Sequence, residues 1–178
     1  MRVKKISFLK LVSAATFAAL ATITASGFAA VAEPRQGALA VSSARGPQGQ
    51  SFTASASLNL TDGQKVTLTG KGYNTRVGIY VTYCVIPPKG QRPEQCGPFD
   101  ITGQNNASFW ISSNPPLYAA ALVKPFGKGG TFKVSMAATR KIGDADCAIV
   151  RCAFTTRADH TRSDNRTADV FIPVKFKP

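Results

Sequence analysis

The stretch VGIYVTYCVI at residues 77–86 decides the fold class of this chain. Its apolar side chains recur at every second position, at Val77, Ile79, Val81, Tyr83 and Val85. Because successive side chains of a strand point to opposite faces, a period of two indicates a β-strand with one apolar face. The stretch therefore predicts a long strand within a sheet.

Similar short segments lie on both sides of this strand. Alternating apolar residues occupy residues 65–69, 108–111, 132–136, 152–156 and 169–176. Turn residues such as Gly, Asn and Asp separate them, and after residue 32 no apolar stripe with a helical period persists for three turns. About six or seven short strands of this kind predict an antiparallel β-sandwich.

The composition excludes two other classes of chain. Hydrophobic residues make up 44% of the 178 residues, which is too many for a disordered chain, and only 17% are charged, which is too few for a long coiled coil. The 22 lysine and arginine residues exceed the nine acidic ones, so the net charge is +13. Four of these basic residues and no acid lie in residues 1–32, so the rest of the chain is still basic.

Residues 1–32 predict a secretory signal peptide. Residues 1–5 are basic, residues 11–23 are uncharged and mostly apolar, and AVA at residues 30–32 fits the small-x-small cleavage rule. We expect cleavage before Glu33. The mature protein is then secreted or at the cell surface, with no membrane span once the signal is removed.

The rest of the chain divides into two parts. Residues 33–56 are rich in Ala, Ser, Gly and Gln without a strong periodicity, which predicts a flexible lead-in. Residues 57–178 contain all the alternating segments and predict one folded domain of ordinary size. We expect this domain to be a monomer.

The chain has four cysteines, Cys84, Cys96, Cys147 and Cys152. No two of them form a CxxC pair and His160 is the only histidine, so the pattern disfavours a zinc site. Two disulfides are the simpler interpretation for an exported domain. Four cysteines permit three pairings, and their positions alone leave all three open. We expect no metal and no cofactor.

Several motifs of the domain occur together in one known family. They are LTDG at residues 60–63, GKGY at 70–73, CGPF at 96–99, GDADC at 143–147 and ADVFIPVKF at 168–176. In this order they make the chain resemble the neocarzinostatin family, small secreted proteins that carry enediyne chromophores. The resemblance implies an all-β, seven-stranded antiparallel immunoglobulin-like sandwich with disulfide-tied hairpins. It also implies the local disulfides Cys84–Cys96 and Cys147–Cys152.

The resemblance further implies a ligand cleft beside the sandwich. The positions that match its lining are Tyr83, Ile86, Phe99, Phe126, Thr156 and Arg157. Ile86 stands where the carriers keep a Trp, and Arg157 stands where they keep small residues, so the enediyne cargo does not carry over. A long Arg at this place would narrow or charge the cleft. We therefore expect an apolar or amphipathic small molecule of another kind, and core packing is the alternative role of Phe99 and Phe126.

A basic face supports an alternative function. The bases in and between the last two predicted strands are Arg151, Arg157, Arg162 and Arg166. Such a face suits an anionic polymer of the cell envelope or another protein, which predicts a structural or adhesive module. The acids that interleave with these bases, and can neutralise them, are Asp159, Asp164 and Asp169. Aromatic residues do not interleave with the bases, so nucleic acid is disfavoured as a partner.

The sequence does not predict an enzyme. It has no Gly-x-Ser-x-Gly elbow, no HExxH motif and no P-loop. His160 lies near Asp159 and Asp164, but one histidine with scattered carboxylates is typical of a solvated loop. Trp110 lies on the face opposite to its two apolar neighbours in the strand, which predicts a packing role. The first hypothesis is therefore a non-catalytic binding protein.

Overall fold

The computed structural model describes residues 41–98 and 107–178. In chain order the strands are β1 (Ser42–Arg45), β2 (Ser51–Ala54), β3 (Gln64–Lys71), β4 (Ile79–Val85), β5 (Phe109–Ile111), β6 (Val123–Lys124), β7 (Phe132–Ala138), β8 (Lys141–Ile142), β9 (Ala145–Asp146), β10 (Cys152–Ala158) and β11 (Val170–Pro173). The two helical segments are the 3-10 turns Leu117–Ala119 and His160–Arg162. Within the described ranges, no helix has the length and apolar character needed to cross a bilayer.

Two sheets form the body of the domain. The first contains β1, β2, β3 and β7 in that order, and the second contains β11, β10, β4, β5 and β6. Neighbouring strands pair antiparallel except β5 and β6, which pair in parallel. β8 and β9 form a separate two-stranded ribbon. The prediction of an all-β fold with antiparallel sheets is confirmed, and the described residues contain more strands than the expected seven.

The lead-in predicted for residues 33–56 contains two strands of the first sheet. β1 pairs with β2 and β2 pairs with β3, so the sheet begins at Ser42 and not after Ser57. Phe52 and Ala54 of β2 are fully buried. Most residues of β1 and β2 are small or polar, and this hides the period of two in the sequence. The predicted start of the domain was therefore too late, whereas the predicted signal peptide lies outside the described residues.

The core lies between the two sheets. Among its largest buried side chains are Phe52, Leu68 and Met136 from the first sheet and Tyr83, Phe154 and Ile172 from the second. Burial of a side chain of this size contributes roughly 1.5–3 kcal/mol. Contact between the two apolar faces therefore holds the sheets together.

Strand β4 is buried on both of its faces. Ile79, Val81 and Tyr83 belong to the core, whereas Tyr80 and Thr82 point to the outer face of the second sheet and are also buried there. This outer face is the side on which the candidate sites lie.

The segment after β4 covers part of this outer face. Val85 N–H donates to the Gln95 carbonyl at 2.9 Å, so the segment returns alongside the strand that it left. Arg157 Nη1 of β10 donates to the Pro93 carbonyl at 3.0 Å. The segment is thus fixed to both β4 and β10.

Both disulfides implied by the resemblance are present. Cys84 is bonded to Cys96, and Cys147 is bonded to Cys152. Each closes a short local loop, and loop-closure entropy assigns them roughly 3 and 2 kcal/mol of stabilisation respectively. No cysteine is left free.

Two core tyrosines differ in how their hydroxyls are bonded. Thr156 Oγ1 donates its proton to the Ala168 carbonyl at 2.7 Å, so the Tyr73 hydroxyl is the donor in its 3.0 Å bond to Thr156 Oγ1. The Tyr83 hydroxyl has no hydrogen-bond partner among the described residues. Burial raises the pKa of both tyrosines above the ordinary value, so both hydroxyls are neutral.

We expect Tyr73→Phe and Tyr83→Phe to differ in their effect on stability. Tyr73→Phe removes a buried hydrogen bond and lowers the free energy of unfolding by about 1 kcal/mol. Tyr83→Phe removes a buried hydroxyl without a partner, so the free energy of unfolding stays constant or rises by up to about 1 kcal/mol. Urea unfolding of the wild type and both variants measures the difference. An equal loss of stability in the two variants would contradict this account of Tyr83.

Candidate functional site

The structure describes five of the six residues predicted to line a ligand cleft, and these five do not lie together. Tyr83 and Thr156 are almost fully buried and face the core side of the second sheet, where Thr156 bonds to Tyr73 and Ala168. Thr156 and Arg157 are successive residues of β10, so they face opposite sides of the sheet. Tyr83 and Thr156 therefore do not line a cleft on the outer face.

Phe126 lies in a different aromatic cluster. Its ring centroid is 6.4 Å from that of Tyr73 and 6.5 Å from that of Phe132. The side chain is partly buried against the core, which is the arrangement of a packing residue. Phe99, the other aromatic residue of the predicted cleft, lies outside the described residues.

Ile86 lines a cleft of about 500 Å³ on the outer side of the second sheet. One wall is the turn after β4, at residues 86–91, and the other includes Phe171 of β11. The described residues that line it are Pro47, Ile86, Pro87, Pro88, Lys89, Gly90, Gln91, Arg151, Arg166, Asp169 and Phe171. The cleft therefore combines apolar side chains with three cations and one carboxyl group. We call it the outer cleft.

The local sequence explains the shape of its first wall. Pro87 and Pro88 have no backbone N–H and a fixed φ, so the chain leaves the sheet after Ile86. Gly90 adopts a φ of +83°, which favours glycine and lets the turn close. Ile86 N–H donates to the Arg151 carbonyl at 2.8 Å, so the wall is joined to the loop that precedes β10.

One carboxyl group lies among the cations of the outer cleft. Asp169 Oδ2 accepts a hydrogen bond from Arg166 Nη1 at 2.9 Å, while Asp169 Oδ1 has no hydrogen-bond partner in the described part of the chain. Burial raises the pKa of Asp169 to about 6, although the neighbouring Arg166 charge acts in the opposite direction. Lys89 and Arg151 are exposed at the same cleft. The outer cleft therefore carries a net positive charge.

Arg157 lies on the outer face of β10 and is partly buried there. Its guanidinium carbon is 5.6 Å from the centroid of the Tyr80 ring, and its Nη1 donates to the Pro93 carbonyl. Burial lowers the pKa of Arg157, and the nearby charge of Arg92 lowers it further. Through these contacts Arg157 covers part of the outer face of the sheet beside Tyr80.

The arginines of the predicted basic face lie in separate places. Arg151 and Arg166 line the outer cleft. Arg162 lines another cleft, of about 290 Å³, together with Arg76. The predicted neutralisation is found for one pair, because Arg166 forms an ion pair with Asp169.

Sequence reasoning missed a polar and aromatic cluster beside this second cleft. His160, expected in a solvated loop, contacts the rings of Tyr80 and Trp110. It is also hydrogen-bonded to the hydroxyls of Tyr80 and Tyr118. Trp110 does lie on the outer face of β5, as predicted. The sequence signal for this cluster is the alternation of side chains along β4 and β5, which places Tyr80 and Trp110 on the outer face of their strands. The two residues lie opposite each other in the pairing of these strands.

The outer cleft has the chemistry of a binding site. Within residues 41–98 and 107–178, no group of three His, Cys, Asp or Glu side chains is arranged to hold a metal ion. The described residues that line the outer cleft are apolar, cationic or amide side chains, with one carboxyl group at Asp169. The apolar wall and the cations can hold a ligand that has an apolar part and an acidic group.

Comparison with solved structures gives a distant likeness. No protein-family model and no curated protein matches the sequence. The solved structure of macromomycin is similar to the chain at 14% sequence identity and a TM-score of 0.47, over 72% of this chain and 99% of macromomycin. A likeness this distant does not indicate a ligand, so the function has to be inferred from the residues of the site.

We expect the titration of Asp169 to make the protein less stable as the pH rises from about 4 to about 7. Its pKa of about 6 lies above the ordinary value, so the folded state holds the proton more tightly than the unfolded state in this range. The stabilisation is complete below the unfolded pKa and is lost as the pH rises through about 6. Asp169→Asn removes this contribution. The change in the free energy of unfolding between about pH 4 and 7 should therefore differ by about 1 kcal/mol between the variant and the wild type. The difference is no larger because solvent at the cleft screens part of the effect.

Urea unfolding of the wild type and Asp169→Asn at about pH 4, 5.5 and 7 measures this difference. Other titrating groups affect both proteins alike and cancel in the comparison. The same pH dependence in both proteins would contradict the raised pKa of Asp169.

Proposed function

We propose that the protein is a secreted, non-catalytic binding protein that holds an amphipathic anion in the outer cleft. The observation that carries the proposal is the lining of this cleft, where an apolar wall and three cationic side chains surround a space of about 500 Å³. A space of this size is typical of sites for small organic molecules.

The apolar part of such a ligand packs between Ile86, Pro88 and Phe171. An aromatic ring that buries about 150 Å² of apolar surface gains roughly 4 kcal/mol. Proline and phenylalanine side chains have few rotamers, so holding them against a ligand costs little conformational entropy. The wall therefore suits a rigid apolar group.

The acidic part of the ligand lies near Lys89 and Arg151. These two cations are exposed at the cleft, while the third, Arg166, is already paired with Asp169. A carboxylate, sulfonate or phosphate group compensates the two positive charges and forms charge-assisted hydrogen bonds with them. The cleft is thus better matched to an anion than to a neutral molecule.

The apolar wall favours a small amphiphile over an anionic polymer of the cell envelope. Exposed cations are sufficient to bind a polymer, whose contacts are mainly electrostatic. Ile86 and Phe171 would contribute nothing to such binding, although both face the cleft. Export of the protein is supported by the signal sequence at residues 1–32 and by the two disulfides.

Two fluorescent probes test the proposal. Anilinonaphthalene sulfonate is an amphipathic anion, and N-phenylnaphthylamine is a neutral molecule with the same ring systems. We expect the anion to bind at least about tenfold more tightly, because only the anion compensates the cleft cations. Lys89→Gln should lower the affinity for the anionic probe about threefold and leave the affinity for the neutral probe unchanged. Ile86→Ala should lower the affinity for both probes. The matched control is Lys65→Gln, which removes an exposed lysine of the first sheet and changes neither affinity.

Equal affinity of the two probes, or unchanged binding in Ile86→Ala, would contradict a ligand in the outer cleft. Binding of an anionic polymer such as polyphosphate without binding of either probe would instead favour the structural or adhesive module. Fluorescence titration gives both affinities, and thermal unfolding shows that each variant is folded.

The affinity for the anionic probe should also depend on pH. Protonation of Asp169, whose pKa is about 6, removes the one negative charge of the cleft. Since the sulfonate keeps its charge, we expect the probe to bind about threefold more tightly at pH 5 than at pH 7.5. Asp169→Asn should bind equally well at both pH values. A pH effect that persists in Asp169→Asn would have to come from another group.

A further inference from the structure

We propose that the second cleft is a separate binding site for an acidic saccharide, meaning a sugar unit that carries a carboxylate. The cleft has a volume of about 290 Å³ and lies where the turns before β4 and after β10 meet the segment after β5. It shares no described lining residue with the outer cleft. The inference therefore does not depend on the function proposed above.

A buried carboxylate anchors this site. Asp159 is 3% exposed and accepts hydrogen bonds from Trp110 Nε1 at 2.9 Å and from the backbone N and Oγ1 of Thr161 at 3.0 and 2.6 Å. Gly78 lies against it, and a Cβ at that position would collide with Asp159 Oδ2. Three neutral donors surround the Asp159 carboxylate and stabilise it within the protein. The indole of Trp110 and the turn at Thr161 are held in place by the same bonds.

His160 fixes an exposed aromatic ring beside the cleft. Its Nδ1 is 2.5 Å from the Tyr80 hydroxyl, and its Nε2 is 3.1 Å from the Tyr118 hydroxyl. The Trp110 ring packs edge-on against the imidazole, with 4.9 Å between centroids. Both nitrogens of His160 are thus bonded, and Tyr118, which is 72% exposed, is held by its hydroxyl. An exposed ring that is already ordered loses little entropy when a ligand packs on it.

The rim of the cleft carries two arginines and an amide. Arg162 Nη1 donates to the Arg76 carbonyl at 2.8 Å, and Asn114 Nδ2 lies 3.5 Å from the same oxygen. These contacts bring three separate segments of the chain together. A guanidinium has five N–H donors, and this bond uses one of those of Arg162. The side chains of Arg76 and Arg162 both line the cleft, where they can meet an anionic group.

An acidic saccharide is the ligand class that uses every part of this site. Its carboxylate pairs with a guanidinium in the two-pronged geometry that arginine favours. Its hydroxyls bond to the amide of Asn114 and to polar groups of the turn at Thr161, and the C–H face of a sugar ring packs on Tyr118. A neutral sugar leaves the arginines without a partner, and a simple inorganic anion leaves the aromatic ring unused.

Trp110 provides a readout that is specific for this site. It is the only tryptophan of the chain, so intrinsic fluorescence reports its surroundings. We expect trigalacturonate, an acidic trisaccharide, to cause a saturable change in emission. Maltotriose, a neutral trisaccharide, should bind at least about tenfold more weakly, since it cannot pair with the arginines. Sodium sulfate at the same ionic strength should not displace trigalacturonate.

Variants of exposed residues separate the contributions of the arginine and of the aromatic ring to the affinity for trigalacturonate. Arg162→Gln and Tyr118→Ala should each lower the affinity for trigalacturonate about tenfold, because the first removes a cation and the second removes the aromatic ring. Tyr118→Phe keeps the ring and should remain within about threefold of the wild type. The matched control is Arg45→Gln, an exposed arginine of β1 that should not change the affinity. Thermal unfolding verifies that all four variants are folded.

The absence of a saturable change in Trp110 emission would overturn the proposal. So would equal affinity for maltotriose, or full displacement by sulfate, which would indicate a site for simple anions. Binding to phosphatidylglycerol vesicles in place of trigalacturonate would assign the exposed Tyr118 to a lipid surface and would also overturn it. Titration with anilinonaphthalene sulfonate in the presence of trigalacturonate tests the outer cleft separately. The absence of binding at one proposed site is therefore recognised independently of binding at the other.

Discussion

The register between β4 and β10 determines which side chains form the core and which face the two clefts. The two strands pair along seven consecutive residues. In this register Tyr83 lies opposite Phe154 on the core side, and Arg157 lies opposite Tyr80 on the outer side. A slip of one residue would turn Arg157 into the core, where an unpaired charge costs several kcal/mol. Both clefts therefore depend on the hydrogen bonds of one strand pair.

Alternation of apolar residues was sufficient to predict the all-β fold and the outer position of Trp110, because one face of each such strand is apolar. It failed for β1 and β2, whose side chains are mostly small and polar. The same alternation also explains why Tyr83 and Thr156 do not reach the outer face: Tyr83 shares the face of Val81, and Thr156 shares the face of Phe154, so both are buried on the core side. The outer cleft could not be predicted, because its two walls are far apart in the sequence and meet only through tertiary contacts.

Several of the described acidic residues accept hydrogen bonds within the protein. Asp146 pairs with Arg140, Asp159 accepts from Trp110, and Asp169 pairs with Arg166. Much of the basic excess is consequently left at the surface, where exposed arginines and lysines surround both clefts. This distribution attracts anions from solution and explains why both proposed ligands carry an acidic group.

The disulfide between Cys84 and Cys96 determines what happens when a protease cuts the turn that it encloses. It closes residues 84–96 into a covalent ring, and one wall of the outer cleft, residues 86–91, is part of that ring. A protease that cuts one peptide bond in this exposed turn opens the ring but releases neither piece, since both remain attached through the sulfur atoms. The bridge between Cys147 and Cys152 protects the neighbouring loop in the same way. A nicked molecule thus keeps both loops tethered beside the outer cleft.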